Sequence, residues 1–159
     1  MLSINSLINK LHHDHPSLVF QSSDDFAWDP ANKTISYDKQ ASHAESSLLH
    51  EAAHALLGHT VYSRDIELLR IEREAWEYAV HTLAPTYNIS IEDAIVESSL
   101  TTYRDWLHKR STCPNCQLNG IQESTAVYRC VHCHTRWSVN EARTCRLRRA
   151  IIQPNKITP

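Results

Sequence analysis

Apolar residues recur along this chain at two periods. Ile4, Leu7, Ile8 and Leu11 fall three and four apart, which predicts an amphipathic helix over residues 3–14, with Pro16 just beyond it. Residues 17–21 read as a short strand. Asp29-Pro30-Ala31-Asn32 carries turn chemistry, and residues 33–38 then alternate as a half-buried strand does. Ser42-His43-Ala44-Glu45 is a capping-box pattern, which predicts the start of a helix that Gly58 should stop. Between them Leu48, Leu49, Ala52, Ala53, Ala55, Leu56 and Leu57 leave almost no polar face, so this helix is expected to be buried. A second helix is expected over residues 64–83, ending before Pro85. A third opens at Ser90-Ile91-Glu92-Asp93 and runs towards Leu107, and Lys109-Arg110-Ser111-Thr112 reads as the joint to the cysteine-bearing region. No internal repeat or low-complexity segment interrupts this order.

Composition narrows the class. A chain of 159 residues has room for one domain with a core and a small appendix. No apolar run approaches the roughly 18 residues that cross a bilayer, and Met1-Leu2-Ser3-Ile4-Asn5 lacks the basic start of a signal peptide. A cytoplasmic protein with no membrane partner is expected. The charge is divided: residues 1–100 hold 6 Lys+Arg against 15 Asp+Glu, and residues 101–159 hold 10 against 3. A basic C-terminal region suits nucleic acid or an acidic protein face, although a solvated surface looks the same.

The first candidate chemistry lies in the buried helix. His50-Glu51-Ala52-Ala53-His54 is an HExxH motif. Histidines four apart share a helix face and can reach one ion, and the glutamate between them is placed to act as a general base. Imidazoles and a carboxylate in a Leu/Ala helix are costly to bury unless ligated or paired, so the competing reading puts them on an exposed strip. A catalytic zinc takes three protein ligands. His59 stands about 140° round from His54 on a continued helix, beyond Gly58, and is disfavoured. On the second helix Leu68, Ile71, Ala75, Tyr78, Ala79 and Leu83 form an apolar stripe with Glu72 inside it. Glu72 is the favoured third ligand, with Glu74 second; Glu67 lies at the stripe's edge and Glu77 opposite.

The segment from His50 to His59, together with Glu72-Arg73-Glu74-Ala75-Trp76-Glu77-Tyr78-Ala79-Val80-His81-Thr82-Leu83-Ala84-Pro85, resembles the ImmA/IrrE-like metallopeptidases over residues 17–85. That family joins an HExxH helix to a second helix reading E-x-x-A-N-x-F-A-x-x-L-L-x-P. The resemblance implies a zincin fold, a catalytic zinc on His50, His54 and Glu72, and Glu51 as base. It also implies that the strand at residues 34–37 is the edge on which substrate lies extended. The substrate it suggests is a regulatory protein such as a helix-turn-helix repressor. Trp76 departs from the pattern, standing where the family has Asn or Asp. No residue stands out as the oxyanion stabiliser; His81 and Tyr78 are near only in sequence.

All five cysteines lie in the last third. Cys113-Pro114-Asn115-Cys116 and Cys130-Val131-His132-Cys133 are two CxxC pairs spaced as in a four-cysteine structural zinc site, which favours metal over a redox dithiol. Tyr128 and Trp137 are placed to pack a small hairpin there, with the metal supplying folding energy. Cys145 is left over, and His132 and His134 are not needed as ligands. Arg129, Arg136, Arg143, Arg146, Arg148 and Arg149 make a phosphate-binding face conceivable.

The expectation is an α+β protein. A zincin-like metallopeptidase domain, mostly helical with a short antiparallel sheet, covers residues 1–110. A zinc ribbon covers residues 111–150 and a tail residues 151–159. Its activity is zinc-dependent endopeptidase, with one catalytic and one structural zinc. Two other readings stand beside it: an SprT-like protease acting near DNA, and a non-catalytic nucleic-acid or protein-binding module on the same scaffold.

Overall fold

Ser3 Oγ accepts the Ser6 amide at 3.4 Å and caps α1 (Ile4–Asp14), whose Leu7 and Leu11 are fully buried. The structure, a computed structural model, describes residues 3–142 and 146–153 and is mixed α+β. By its contacts the chain groups into two units. The first holds the described residues up to Val61 with Arg70–Glu97; the second holds Tyr62–Leu69 and the described residues from Ser98 onward. No helix among the described residues is long and apolar enough to cross a membrane.

In the first unit three short strands form one sheet in the order β1-β3-β2. β1 (Val19–Ser22) runs parallel to β3 (Thr34–Tyr37), and β2 (Ala27–Asp29) pairs antiparallel on the other side of β3. The Asp29 carboxylate accepts the amides of Ala31 and Asn32 and turns the chain from β2 into β3. Two expectations are corrected here. The sheet is mixed, not antiparallel, because β2 is laid down beyond the place that β3 then fills next to β1. For the same reason β3 is interior and offers no free edge; that position belongs to β1 and β2.

α2 (Ala44–Leu56) carries the HExxH motif. The predicted capping box does not form. His43 takes a left-handed conformation at the cap position, with φ of 59° and no side-chain cap, which leaves Ser42 one residue outside. At the other end Gly58 adopts φ of +68° and closes a Schellman turn. The Gly58 amide bonds to the Ala55 carbonyl and the His59 amide to the His54 carbonyl at 3.0 Å.

α3 (Asp65–Tyr78) continues into a π-helical turn over Ala79–Leu83 and then α4 (Ala84–Tyr87). The helical run therefore does not end before Pro85. The Ala84 amide bonds five residues back to Ala79, and Pro85 falls in the first turn of α4, where a missing N–H costs little. Ala52 and Ala53 of α2 and Ala75 and Ala79 of this run are fully buried in one core with Leu7, Leu11, Ile35, Leu48 and Leu49. Each large side chain there contributes roughly 1.5–3 kcal/mol by burial. The alanines let the helices approach closely.

The second unit contains α5 (Asp93–Ser111) from residue 98 and an antiparallel sheet β4-β5-β6-β7. Its strands are Gly120–Ser124, Val127–Cys130, Arg136–Val139 and Arg149–Ile151. Tyr128 and Trp137 stack at 5.7 Å between centroids in its core, as their positions suggest. Gly120 is required by close approach: a Cβ there would collide with Trp137 and stand 2.7 Å from the Arg129 carbonyl oxygen. A boundary at residue 110 is expected from sequence, but Tyr62–Leu69 and Ser98–Ser111 group with the cysteine segment. The physical reason is a buried ion cluster. Arg110 Nε donates to Asp65 Oδ2 at 2.5 Å, Tyr128 Oη donates to the same oxygen at 2.6 Å, and Arg110 Nη1 donates to the Asn140 carbonyl at 2.6 Å. Arg110 and Asp65 are each about 2% exposed, and so buried an arginine needs these partners.

Candidate metal centres

His50 and His54 lie on one face of α2, one turn apart, and Glu72 faces them from α3. All three are buried: 6%, 7% and 5% exposed. Their ligand atoms form a small triangle. His50 Nε2 is 3.2 Å from His54 Nε2 and 3.3 Å from Glu72 Oε2; His54 Nε2 is 3.6 Å from the same oxygen. Donors held tetrahedrally at about 2.0–2.1 Å from one cation stand about 3.4 Å apart, so these edges fit a single ion. Glu72 Oε2 adds a second sign, being fully buried with no aligned hydrogen-bond partner among the described residues. A cation would fill that need.

The electrostatics agree. Burial disfavours the charged form of His50, yet the carboxylates of Glu51 and Glu72 outweigh it and lift its pKa to about 9. Burial raises Glu72, and His50 and His54 more than reverse this, holding it at about 2. Both shifts favour the charged forms of His50 and Glu72, and a cation would displace the imidazole proton.

The ring nitrogens facing away from the triangle are also engaged. Glu51 Oε1 lies 3.3 Å from His50 Nδ1, and Trp76 stacks on the His50 ring at 4.2 Å and 15°. Trp76, which breaks the expected family pattern, thus packs against the His50 imidazole. His54 Nδ1 is 3.0 Å from His59 Nδ1, and His59 Nε2 is 3.5 Å from Glu74 Oε2. His59 and Glu74 are therefore outside the triangle but touch its surroundings. The sequence signal for His59 is Gly58: a Schellman turn returns the residue after it to the helix's last turn. Glu67 accepts the amides of Ser63 and Arg64 at the start of α3, and Glu77 pairs with Arg73 on the exposed side. His81 is exposed in the π-helical turn and Tyr78 half-buried.

In the second unit the sulfurs of Cys113, Cys116, Cys130 and Cys133 lie within 4.8 Å of one another. Cys113 and Cys133 are 3.6 Å apart and Cys116 and Cys130 3.5 Å. Tetrahedral thiolates at about 2.3 Å from one cation stand about 3.8 Å apart, so this group also fits one ion. The two CxxC knuckles are built alike. The amide of Gln117 bonds to the Cys113 carbonyl and that of His134 to the Cys130 carbonyl, with both residues at positive φ, 64° and 60°. Asn115 N lies 3.4 Å from Cys113 Sγ, and Cys133 N lies 3.5 Å from Cys130 Sγ. Hydrogen bonds from Thr135 draw the Cys133 thiol down to about 5. The Leu118 amide pulls Cys116 the same way, but burial and the neighbouring sulfurs push it up to about 12. A cation at the centre would remove that conflict. His132 and His134 are not in the group, and Cys145 and Arg143 lie outside the described residues.

The basic face is thinner than its arginine count suggests. Arg129 and Arg136 both pair with Glu123, at 2.8 and 2.7 Å, and Arg149 donates to the Thr112 carbonyl.

Comparison of the chain with family models, with curated proteins and with solved structures finds no match in any of the three.

Proposed function

We propose that this chain is a zinc-dependent endopeptidase of the HExxH type, with His50, His54 and Glu72 as the ligands and Glu51 as the base. The observation that supports it most is the buried triangle of two imidazoles and one carboxylate, with edges of one-ion size. A zinc ion held there would supply Lewis acidity, lowering the pKa of water and polarising a peptide carbonyl. The chain's own residues do the rest. Glu51 takes a proton from the attacking water and passes it to the leaving amine nitrogen. Its carboxylate rests on His50 Nδ1 in the structure, so this role uses the second oxygen or a turn of the side chain. His50 and His54 keep Nε2 unprotonated by placing their protons on Nδ1, where Glu51 and His59 accept them.

An extended substrate would add to the sheet through main-chain hydrogen bonds. Because β3 is interior, β2 serves as the edge. Trp28 of β2 donates its indole N–H to the His59 carbonyl at 2.9 Å, which sets this strand beside the turn at the end of the metal helix. The resemblance of the motif pair to the ImmA/IrrE-like peptidases points to a regulatory protein substrate, such as a helix-turn-helix repressor, in the cytoplasm. The four-cysteine sheet would be a zinc ribbon carrying a structural zinc. It would act as a recognition module. Arg146 and Arg148 are exposed there, with no carboxylate partner among the described residues. If they meet nucleic acid, affinity falls steeply with salt; no binding at low salt removes that partner.

Two observations weigh between the readings. An SprT-like site would take a third histidine, whereas Glu72 completes this triangle and His59 stands behind His54. A non-catalytic module would use Glu51 only as the acceptor for His50 Nδ1, so substitution of Glu51 separates the two readings. Glu51→Gln should keep both metals and lower cleavage of a protein substrate by at least about 100-fold. Unchanged cleavage by this variant would remove the peptidase reading.

A further inference from the structure

Resting on the reading that the triangle binds zinc, we propose that His59 and Glu74 are positioning residues that fix the tautomer and orientation of His54. His54 has Nε2 in the triangle, so as a ligand it must carry its proton on Nδ1. That N–H points at His59 Nδ1, 3.0 Å away, and the two rings meet nearly edge-on at 68°. His59 must then accept at Nδ1 and carry its own proton on Nε2. Glu74 Oε2, 3.5 Å from His59 Nε2, is the acceptor for it. One proton assignment satisfies the whole chain from Glu74 through His59 to His54.

The placement is built into the backbone. The Schellman turn at Gly58 bonds the His59 amide to the carbonyl of His54 itself, and Trp28 fixes the His59 carbonyl. His59 is thus held at both backbone groups while its ring lies 12% exposed against His54. A metal-bound imidazole commonly hands its second N–H to a carboxylate or carbonyl, and loss of that acceptor weakens metal affinity. Here an imidazole supplies the acceptor and a carboxylate stands behind it.

Zinc affinity by chelator competition tests this without reference to proteolysis. His59→Leu should weaken the first zinc by about 10–100-fold, and His59→Gln, whose amide oxygen can accept the same N–H, should recover most of the loss. Glu74→Gln, at a half-exposed position, should weaken it by a smaller factor and serves if His59→Leu does not fold. In zinc-loaded protein, nitrogen-15 correlation spectra should show His54 protonated at Nδ1 and His59 at Nε2. Zinc bound equally tightly by the parent, His59→Leu and Glu74→Gln proteins would overturn the role of His59 and Glu74 alone. A parent protein with no zinc at His50, His54 and Glu72 would overturn the metal reading and this role with it.

Discussion

Gln117 and His134 occupy the same place in the two cysteine knuckles, each at positive φ directly after the second cysteine. An L side chain pays roughly 1–2 kcal/mol in that conformation, and glycine avoids it. Gln117→Gly should therefore raise the stability of the metal-loaded second unit by about 1 kcal/mol, read as a higher urea midpoint; a lower midpoint contradicts the strain. At this scale much is legible in the sequence. Glu72 can be named because a carboxylate in an apolar stripe needs a reason, and the cysteines because their spacing fixes two knuckles. The pairing of His59 with His54 is not legible from helical periodicity, only from Gly58. A helical-wheel angle assumes the helix continues, whereas the left-handed Gly58 folds the chain back. Trp76 reads from sequence only as a departure from the family's Asn or Asp; the structure stacks its ring on His50.

Elements with a strong period are legible, and those fixed by tertiary contact are not. α1 and α2 follow from apolar spacing and from Gly58. β2 and β7 have three residues each, too few to show alternation. The π-helical turn is invisible because Pro85 alone signals a stop, and only the widened turn before it lets the helix run on. A hydrogen bond ties α4 back to α1: Tyr87 Oη donates to Asp14 Oδ2 at 2.9 Å. Burial and the Asp14 carboxylate raise the phenol from its ordinary 10.0 to about 12. A raised phenol pKa means that the folded state holds the proton more tightly. Its contribution is then whole below pH 10 and is lost as pH climbs towards 12. Tyr87→Phe should cost about 1–3 kcal/mol below pH 10 and flatten the alkaline decline in melting temperature. An equally steep decline in the variant would contradict this bond as its source.

At the scale of the whole molecule, the change in charge and the first cysteines suggest a break at residue 110. Contacts divide the chain elsewhere because Asp65, far earlier, meets Arg110 and Tyr128. Long-range ion pairs leave no periodic trace, so this association cannot be read from the sequence. The two candidate metal groups fall one in each unit, built from unlike donors: nitrogen and oxygen in the first, sulfur in the second. They should therefore be separable by mutation. Metal counting by native mass spectrometry on the parent and on Glu72→Gln is the most direct test of the triangle as a metal site. Two zinc ions in the parent and one in the variant are predicted. A single zinc in both proteins would contradict the account.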